Sequence, residues 1–213
     1  MSVIIIKQTA DYVVCVKPQG VESEHEMPAL LKEQLGCEQV YPVHRLDKET
    51  GGLMVYALSQ KEAAYLSRQV QEGKMQKTYL AVVAGTPEQP KDTWNDLLFR
   101  DKTKNKSYLV KRERKGVKKA SLSYETLGQA MWNNQPISLV KVHLHTGRTH
   151  QIRVQFAGRN HPLIGDRRYG GLPCNNLALW SVRFSFSDAS KICQFACVPP
   201  EQGVWTPFKN HNL

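Results

Sequence analysis

The stretch HRLDKETGGLMVYALS, residues 44–59, sets a charged turn directly against an apolar run. Thr50-Gly51-Gly52 predicts a change of direction, and GLMVYALS (52–59) then reads as a strand. Asp47 sits next to Leu46 and two residues from Arg45. A nearby guanidinium favours the ionised acid and lowers its pKa. A charged carboxylate on a sharp turn suits a nucleophile or a base better than a proton donor, although Arg-x-Asp alone fits a structural ion pair at a turn equally well. A second arginine-rich motif, TGRTHQIR at 146–153, sets this turn apart from an ordinary ion pair.

Outward from that turn, VIIIKQ (3–8) and YVVCVK (12–17) read as strands, and MPALLKEQLG (27–36) as a helix ended by Gly36. KEAAYLSRQVQEG (61–73) has amphipathic helical spacing and stops at Gly73; KTYLAVVAG (77–85) is a strand. Short alternating runs over 97–128 and ISLVKVHLHTG (137–147) predict antiparallel strands. THQIRVQFAGRN (149–160) returns to helical spacing with Thr149 as its expected N-cap, and LALWSVRFSFSD and KICQFACV close the chain as strands. Strands outnumber helices, and no G-x-G-x-x-G follows a strand. The expected class is therefore α+β, a mixed, largely antiparallel central sheet flanked by helices, and residues 1–213 are expected to form a single domain.

The 213 residues suffice for a substantial core, and no run approaches the roughly 18 apolar residues of a membrane span. MSVIIIKQ is too short in its apolar part for a secretory signal, so the cytoplasm is the expected compartment and no membrane partner is expected. Five cysteines, at 15, 37, 174, 193 and 197, are an odd number and read as reduced thiols.

The formal net charge is +10, and residues 100–119 hold ten Lys/Arg against two Asp/Glu, leaving +2 for the remainder. A basic hairpin or loop over about 100–119 points to a polyanion partner, because each phosphate neutralised releases condensed counterions; a solvated hairpin is the alternative. Lys111, Arg112, Arg114 and Lys115 are the expected polyanion-binding cations.

These residues carry a resemblance to the RluA family of RNA pseudouridine synthases. The family pattern H-R-L-D-x-x-T-S-G-L is matched at His44, Arg45, Leu46, Asp47, Thr50, Gly52 and Leu53, with Gly51 where serine is usual. K-P-x-G appears as Lys17, Pro18 and Gly20, and KTYLAVVAG resembles the strand K-x-Y-x-A-x-V-x-G through Lys77 and Tyr79. LHTGRTHQIRVQFAGRNHPLIGDRRYG (144–170) resembles the long third signature, departing at Gln155 for a common histidine and at Asn160 for a usual glycine. Leu177-Ala178-Leu179-Trp180 echoes a late Leu-His-Ala strand, so the likeness covers roughly residues 12–187.

The resemblance implies that a uridine of rRNA or tRNA, in a stem-loop, is isomerised in place with no cofactor and no metal. Asp47 is the implied catalytic aspartate, adding to C1′, adding to C6 or removing the 2′ proton. Arg153 is implied to pair with it and keep it charged, and Tyr79 to stack on the uracil and assist loss of the C5 proton. Arg45 and His44 are implied to fill the place of the flipped nucleotide or to hold flanking phosphates, and Leu179 to line the uracil pocket. The likeness extends to the catalytic domain alone, without an S4-like RNA-binding domain, acting as a monomer. A noncatalytic RNA-binding protein on the same scaffold is the rival class, and the joint presence of Asp47, Tyr79 and Arg153 argues against it.

His143, His145, His150 and His161 with Asp166 suggest a metal cluster at first sight, but their arginine-rich surroundings disfavour a divalent cation. The TGRTHQ turn is better read as a helix N-terminus where backbone N–H groups, with Arg148 and Thr149, hold a phosphate. The segment from Asp166 to Gly170 supports the site or forms a salt-bridged turn.

Overall fold

A computed structural model of the chain describes residues 1–188 and 191–211. Two compact units make it up: residues 1–77 with 180–199, and residues 78–179 with 200–213.

In the first unit, β1 (Ile4–Gln8), β2 (Tyr12–Lys17), β4 (Gly51–Ala57) and β10 (Leu179–Asp188) follow one another across a sheet; the two-residue β3 (Tyr41–Pro42) pairs with β4 and β11 (Lys191–Ala196) with β10. Gly51 and Gly52 of β4 run parallel to Trp180 and Ser181 of β10, whereas β1–β2, β2–β4, β3–β4 and β10–β11 are antiparallel. Every residue of β4 is buried, the signature of a strand covered on both faces. One face collects Tyr12, Val14, Leu53, Val55, Phe184 and Phe186 with Leu66 of helix α2 (Gln60–Gln71). Helix α1 (Glu26–Leu35) buries Met27 and Leu31 and ends where expected, with Gly36 left-handed at φ 63°. The Ser59 side chain caps α2 by accepting the Glu62 N–H at 3.2 Å.

The second unit is built on antiparallel strands. From β5 (Gln76–Ala84) the order runs to β9 (Gln135–Leu144), β8 (Val117–Trp132), β6 (Lys91–Asp101) and β7 (Lys106–Val110). Helix α3 (Gln151–Ala157) covers one face through Val154, packed with Leu98 and Ala120, and through Phe156, whose ring lies 4.7 Å from Trp94 and 5.4 Å from Tyr124. A final 3-10 helix (Gly203–Phe208) buries Val204, Trp205 and Phe208.

The α+β class and the largely antiparallel sheet are as the sequence predicts. Residues 100–119 resolve into two turns of a three-stranded ribbon, the 102–105 turn between β6 and β7 and the 111–116 loop between β7 and β8. Helix α3 is shorter than expected, and His150, left-handed at φ 55°, replaces Thr149 at its N-cap without a side-chain cap bond. All five cysteines are free. No helix among the described residues is long and apolar enough to cross a membrane.

Candidate active site

The Asp47 turn is held through its backbone. Leu46 O accepts from Ser23 Oγ at 2.9 Å, Asp47 O from the Thr50 N–H at 2.9 Å, and Glu49 O from Gln19 Nε2 at 2.8 Å. Lys48 O accepts twice, from the Gly20 N–H at 2.8 Å and from Lys17 Nζ at 3.1 Å. Four successive carbonyls are thereby fixed, three of them by the segment 17–23, so the carboxylate-bearing turn has little freedom. The K-P-x-G resemblance thus has a physical meaning: Lys17 is fully buried and also donates to Pro18 O at 2.9 Å and Val21 O at 2.7 Å. Burial lowers its ammonium to about 8, and the charges of Asp47, Glu49, Glu22 and Glu26 oppose that shift.

The Gly-Gly step answers to close packing. A Cβ on Gly51 would lie 2.2 Å from the Trp180 ring, and one on Gly52, at φ 112°, would lie 2.3 Å from Ser181 O. Serine at position 51 is therefore incompatible with an indole at 180. The departure at Gly51 thus leaves the room that the Trp180 ring occupies.

His44 braces the next strand. Its Nε2 accepts the Val55 N–H at 3.2 Å, and burial together with the Lys77 charge holds its pKa well below 6.5, so the ring is neutral with its proton on Nδ1. That buried Nδ1 has no hydrogen-bond partner among the described residues. Arg45 is exposed and pairs with Glu24 at 2.9 Å. Asp47 itself is half-buried.

In the second unit, Arg153 of α3 is 3 % exposed and meets Asp166 side-on, with Nε to Oδ2 at 2.7 Å and Nη2 to Oδ1 at 2.9 Å. Asp166 Oδ1 also accepts from the N–H groups of Arg168 and Tyr169 at 3.1 and 3.2 Å. Such a fork fixes the guanidinium plane. The 166–170 segment thus both forms a salt bridge and supports Arg153, a role the sequence left open. Tyr169 extends it: its hydroxyl accepts the Ser107 N–H at 2.8 Å, lies 3.1 Å from Ser107 O and from His150 Nδ1, and its ring faces Arg153 at 5.4 Å. Arg168 Nη1 caps the β6–β7 turn at the carbonyls of Lys104 and Asn105, both at 3.0 Å. This strut was not read from the sequence; the only signal was its place in the third signature.

Tyr79 lies on β5 opposite Val142, 5 % exposed, and Leu179 is 4 % exposed at the start of β10. The TGRTHQ turn, where the sequence predicts a phosphate site, is engaged in several internal bonds. The Arg148 N–H is taken by Gln151 Oε1 at 3.0 Å, the Arg148 Nε by Lys119 O at 2.9 Å, and Thr149 O by Ser107 Oγ at 2.6 Å, while α3 is only seven residues long. Gln155 joins α3 to β6 by donating to Asp96 at 2.7 Å, and Arg159 holds the same carboxylate at 2.9 and 3.2 Å. Asn160 takes the left-handed φ of 63° that glycine usually supplies. The histidines are committed elsewhere: His143 to Thr78 at 3.1 Å, His145 to Ser123 at 3.1 Å, and His161 to Ala84 O at 2.9 Å.

The sequence model of the family described as RNA pseudouridylate synthase matches residues 11–158, and the chain belongs to that family. An RNA pseudouridine synthase of Aquifex aeolicus is 41 % identical over 135 residues, covering 63 % of this chain and 41 % of that protein. The tRNA pseudouridine synthase C of Haemophilus influenzae is 34 % identical over 153 residues, 68 % of this chain and 62 % of that one. The chain thus spans between two fifths and two thirds of the length of these relatives. The human RNA pseudouridylate synthase domain containing 1 superposes with a TM-score of 0.82 at 22 % identity, covering 94 % of this chain and 84 % of that one, which establishes the shared fold.

Proposed function

We propose that this chain is an RNA pseudouridine synthase that isomerises uridine in a stem-loop of rRNA or tRNA. The observation that carries the reading is the Asp47 turn, whose four carbonyls at 46–49 are each held. Holding a reacting carboxylate in one place removes the entropy of finding the attack geometry. Asp47 supplies the nucleophile or base. The C1′–N1 bond breaks, the uracil turns, C1′ bonds to C5, the C5 proton leaves and N1 regains one, so atoms and electrons balance within the substrate.

Arg153, fixed by Asp166, serves as the buried cation of the site, and Tyr79 as the stacking surface for the uracil, with Leu179 as a lining residue. Arg45 is exposed enough to reach a flanking phosphate; neutral His44 contributes by bracing β4. Lys111, Arg112, Arg114 and Lys115 stand on the exposed 111–116 loop, where they contact the RNA backbone. The protein works as a monomer in the cytoplasm, where its substrates are.

The test incubates the protein with bulk tRNA and rRNA lacking modifications and analyses the nucleosides. Pseudouridine is expected with the wild-type chain and not with Asp47→Ala. No product from any such RNA, or equal product from the variant, contradicts the reading and favours a noncatalytic RNA-binding protein.

A further inference from the structure

The outer face of the β8–β6–β7 ribbon, opposite α3, carries aromatic rings where a solvated sheet would carry polar side chains. Register places Val117, Phe99 and Tyr108 in one row across the three strands, and Lys119, Leu97 and Val110 in the next. Tyr108 is 36 % exposed, and Phe99, Leu97, Val110 and Val117 are partly exposed. Each ring has a cation over it, Arg114 at 4.8 Å from the Phe99 centroid and Lys106 at 5.7 Å from that of Tyr108. Beside them opens a cavity of about 430 Å³ lined by Leu97, Glu113, Arg114, Val117 and Lys119. Its volume lies within the roughly 300–1,000 Å³ of small-ligand sites. The one carboxylate there, Glu113, is paired with Lys119 at 3.5 Å, so Arg114 and Lys106 leave the rim cationic.

We infer that this face is a stacking platform for unpaired RNA bases, distinct from the residues proposed for catalysis. Aromatic rings bind single strands because every base has a π-face, and an arginine already laid on a ring offers its outer plane to a further base or its N–H groups to a phosphate. A protein partner would meet the same apolar rows. The ten Lys/Arg of residues 100–119 favour a polyanion, and the flat rings favour bases that are not already stacked in a duplex. The inference rests on RNA being the substrate, and it assigns this ribbon a second role beyond its charge: gripping an unpaired stretch of the bound strand.

The probe is a short oligouridylate carrying one 2-aminopurine, compared with an abasic strand of equal length and with duplex RNA. Tyr108→Leu and Phe99→Leu are expected to weaken oligouridylate binding by about tenfold each and to lose quenching of 2-aminopurine, with the slope of log Kd against log salt unchanged. Tyr108→Phe keeps the ring and is expected to keep the affinity. On the abasic strand the wild type and Tyr108→Leu are expected to bind equally. Wild-type affinity in both leucine variants, an equal loss on abasic or duplex RNA, or a loss accompanied by a smaller salt slope each overturns the platform. Pseudouridine formation by the wild type is followed in parallel: its absence, with ring-dependent binding intact, removes the enzyme reading and leaves the platform standing.

Discussion

At residue scale the most consequential side chain after Asp47 is Lys17, an ammonium with no exposed surface that ties three carbonyls together, one of them in the Asp47 turn. Lys17→Met strands those acceptors and is expected to cost about 3 kcal/mol in urea unfolding. Its pH dependence has a definite sign. The native ammonium titrates at about 8 against an ordinary 10.5, so between those values the unfolded chain holds the proton more firmly and stability rises with pH. Lys77, lowered to about 8 by burial, acts in the same direction. Cys15, raised by burial from 9 to about 12, acts oppositely above pH 9, where only the unfolded thiol ionises. Unfolding free energy is therefore expected to gain about 1 kcal/mol from Lys17 between pH 8 and 9 and to rise more slowly above pH 9, where Cys15 offsets part of the gain from the two lysines, with a smaller gain in Lys17→Met. A fall over that interval contradicts the assignment. Gly51→Ser, which restores the usual family residue, is expected to destabilise by about 2 kcal/mol because of Trp180, and Trp180→Leu in the same chain is expected to relieve it.

Among the elements, strands and helices with strong local signals were legible: β2, α1 with its left-handed Gly36, and α2 with its Ser59 cap follow the pattern of apolar and capping residues. What escaped was set by tertiary contact. Thr149 has the chemistry of an N-cap, but His150 turns left-handed and Gln151 takes the Arg148 N–H, so the helix begins later. Likewise Asp166 and Tyr169 are distant in sequence from β7, and no local pattern announces that a tyrosine hydroxyl will close on Ser107. Tyr169→Phe removes that hydroxyl and is expected to cost about 2 kcal/mol and to speed hydrogen exchange at the Ser107 amide. Unchanged protection there means that the β6–β7 ribbon does not depend on the strut.

On the scale of the whole molecule, the +10 charge is concentrated in residues 100–119, and the structure spreads those cations over the strands and two turns of one ribbon. Replacing Lys111, Arg112, Arg114 and Lys115 by glutamine is expected to weaken RNA binding and flatten its salt dependence by about 0.7 per lost contact on single strands. An unaltered slope means that the 111–116 loop faces away from RNA. The family was legible because its signatures mark backbone devices, among them the clamp at 17–23 and the positive-φ Gly52 beside Ser181, as much as reacting groups. The central claim is that the clamped Asp47 drives exchange of an N1 for a C5 glycosidic bond, which must release the C5 proton. Release of tritium from unmodified tRNA and rRNA labelled at uridine C5 reads that step directly. The account predicts release by the wild-type chain in proportion to the pseudouridine formed and none by Asp47→Asn; equal release from both, or none from the wild type on any such RNA, contradicts it.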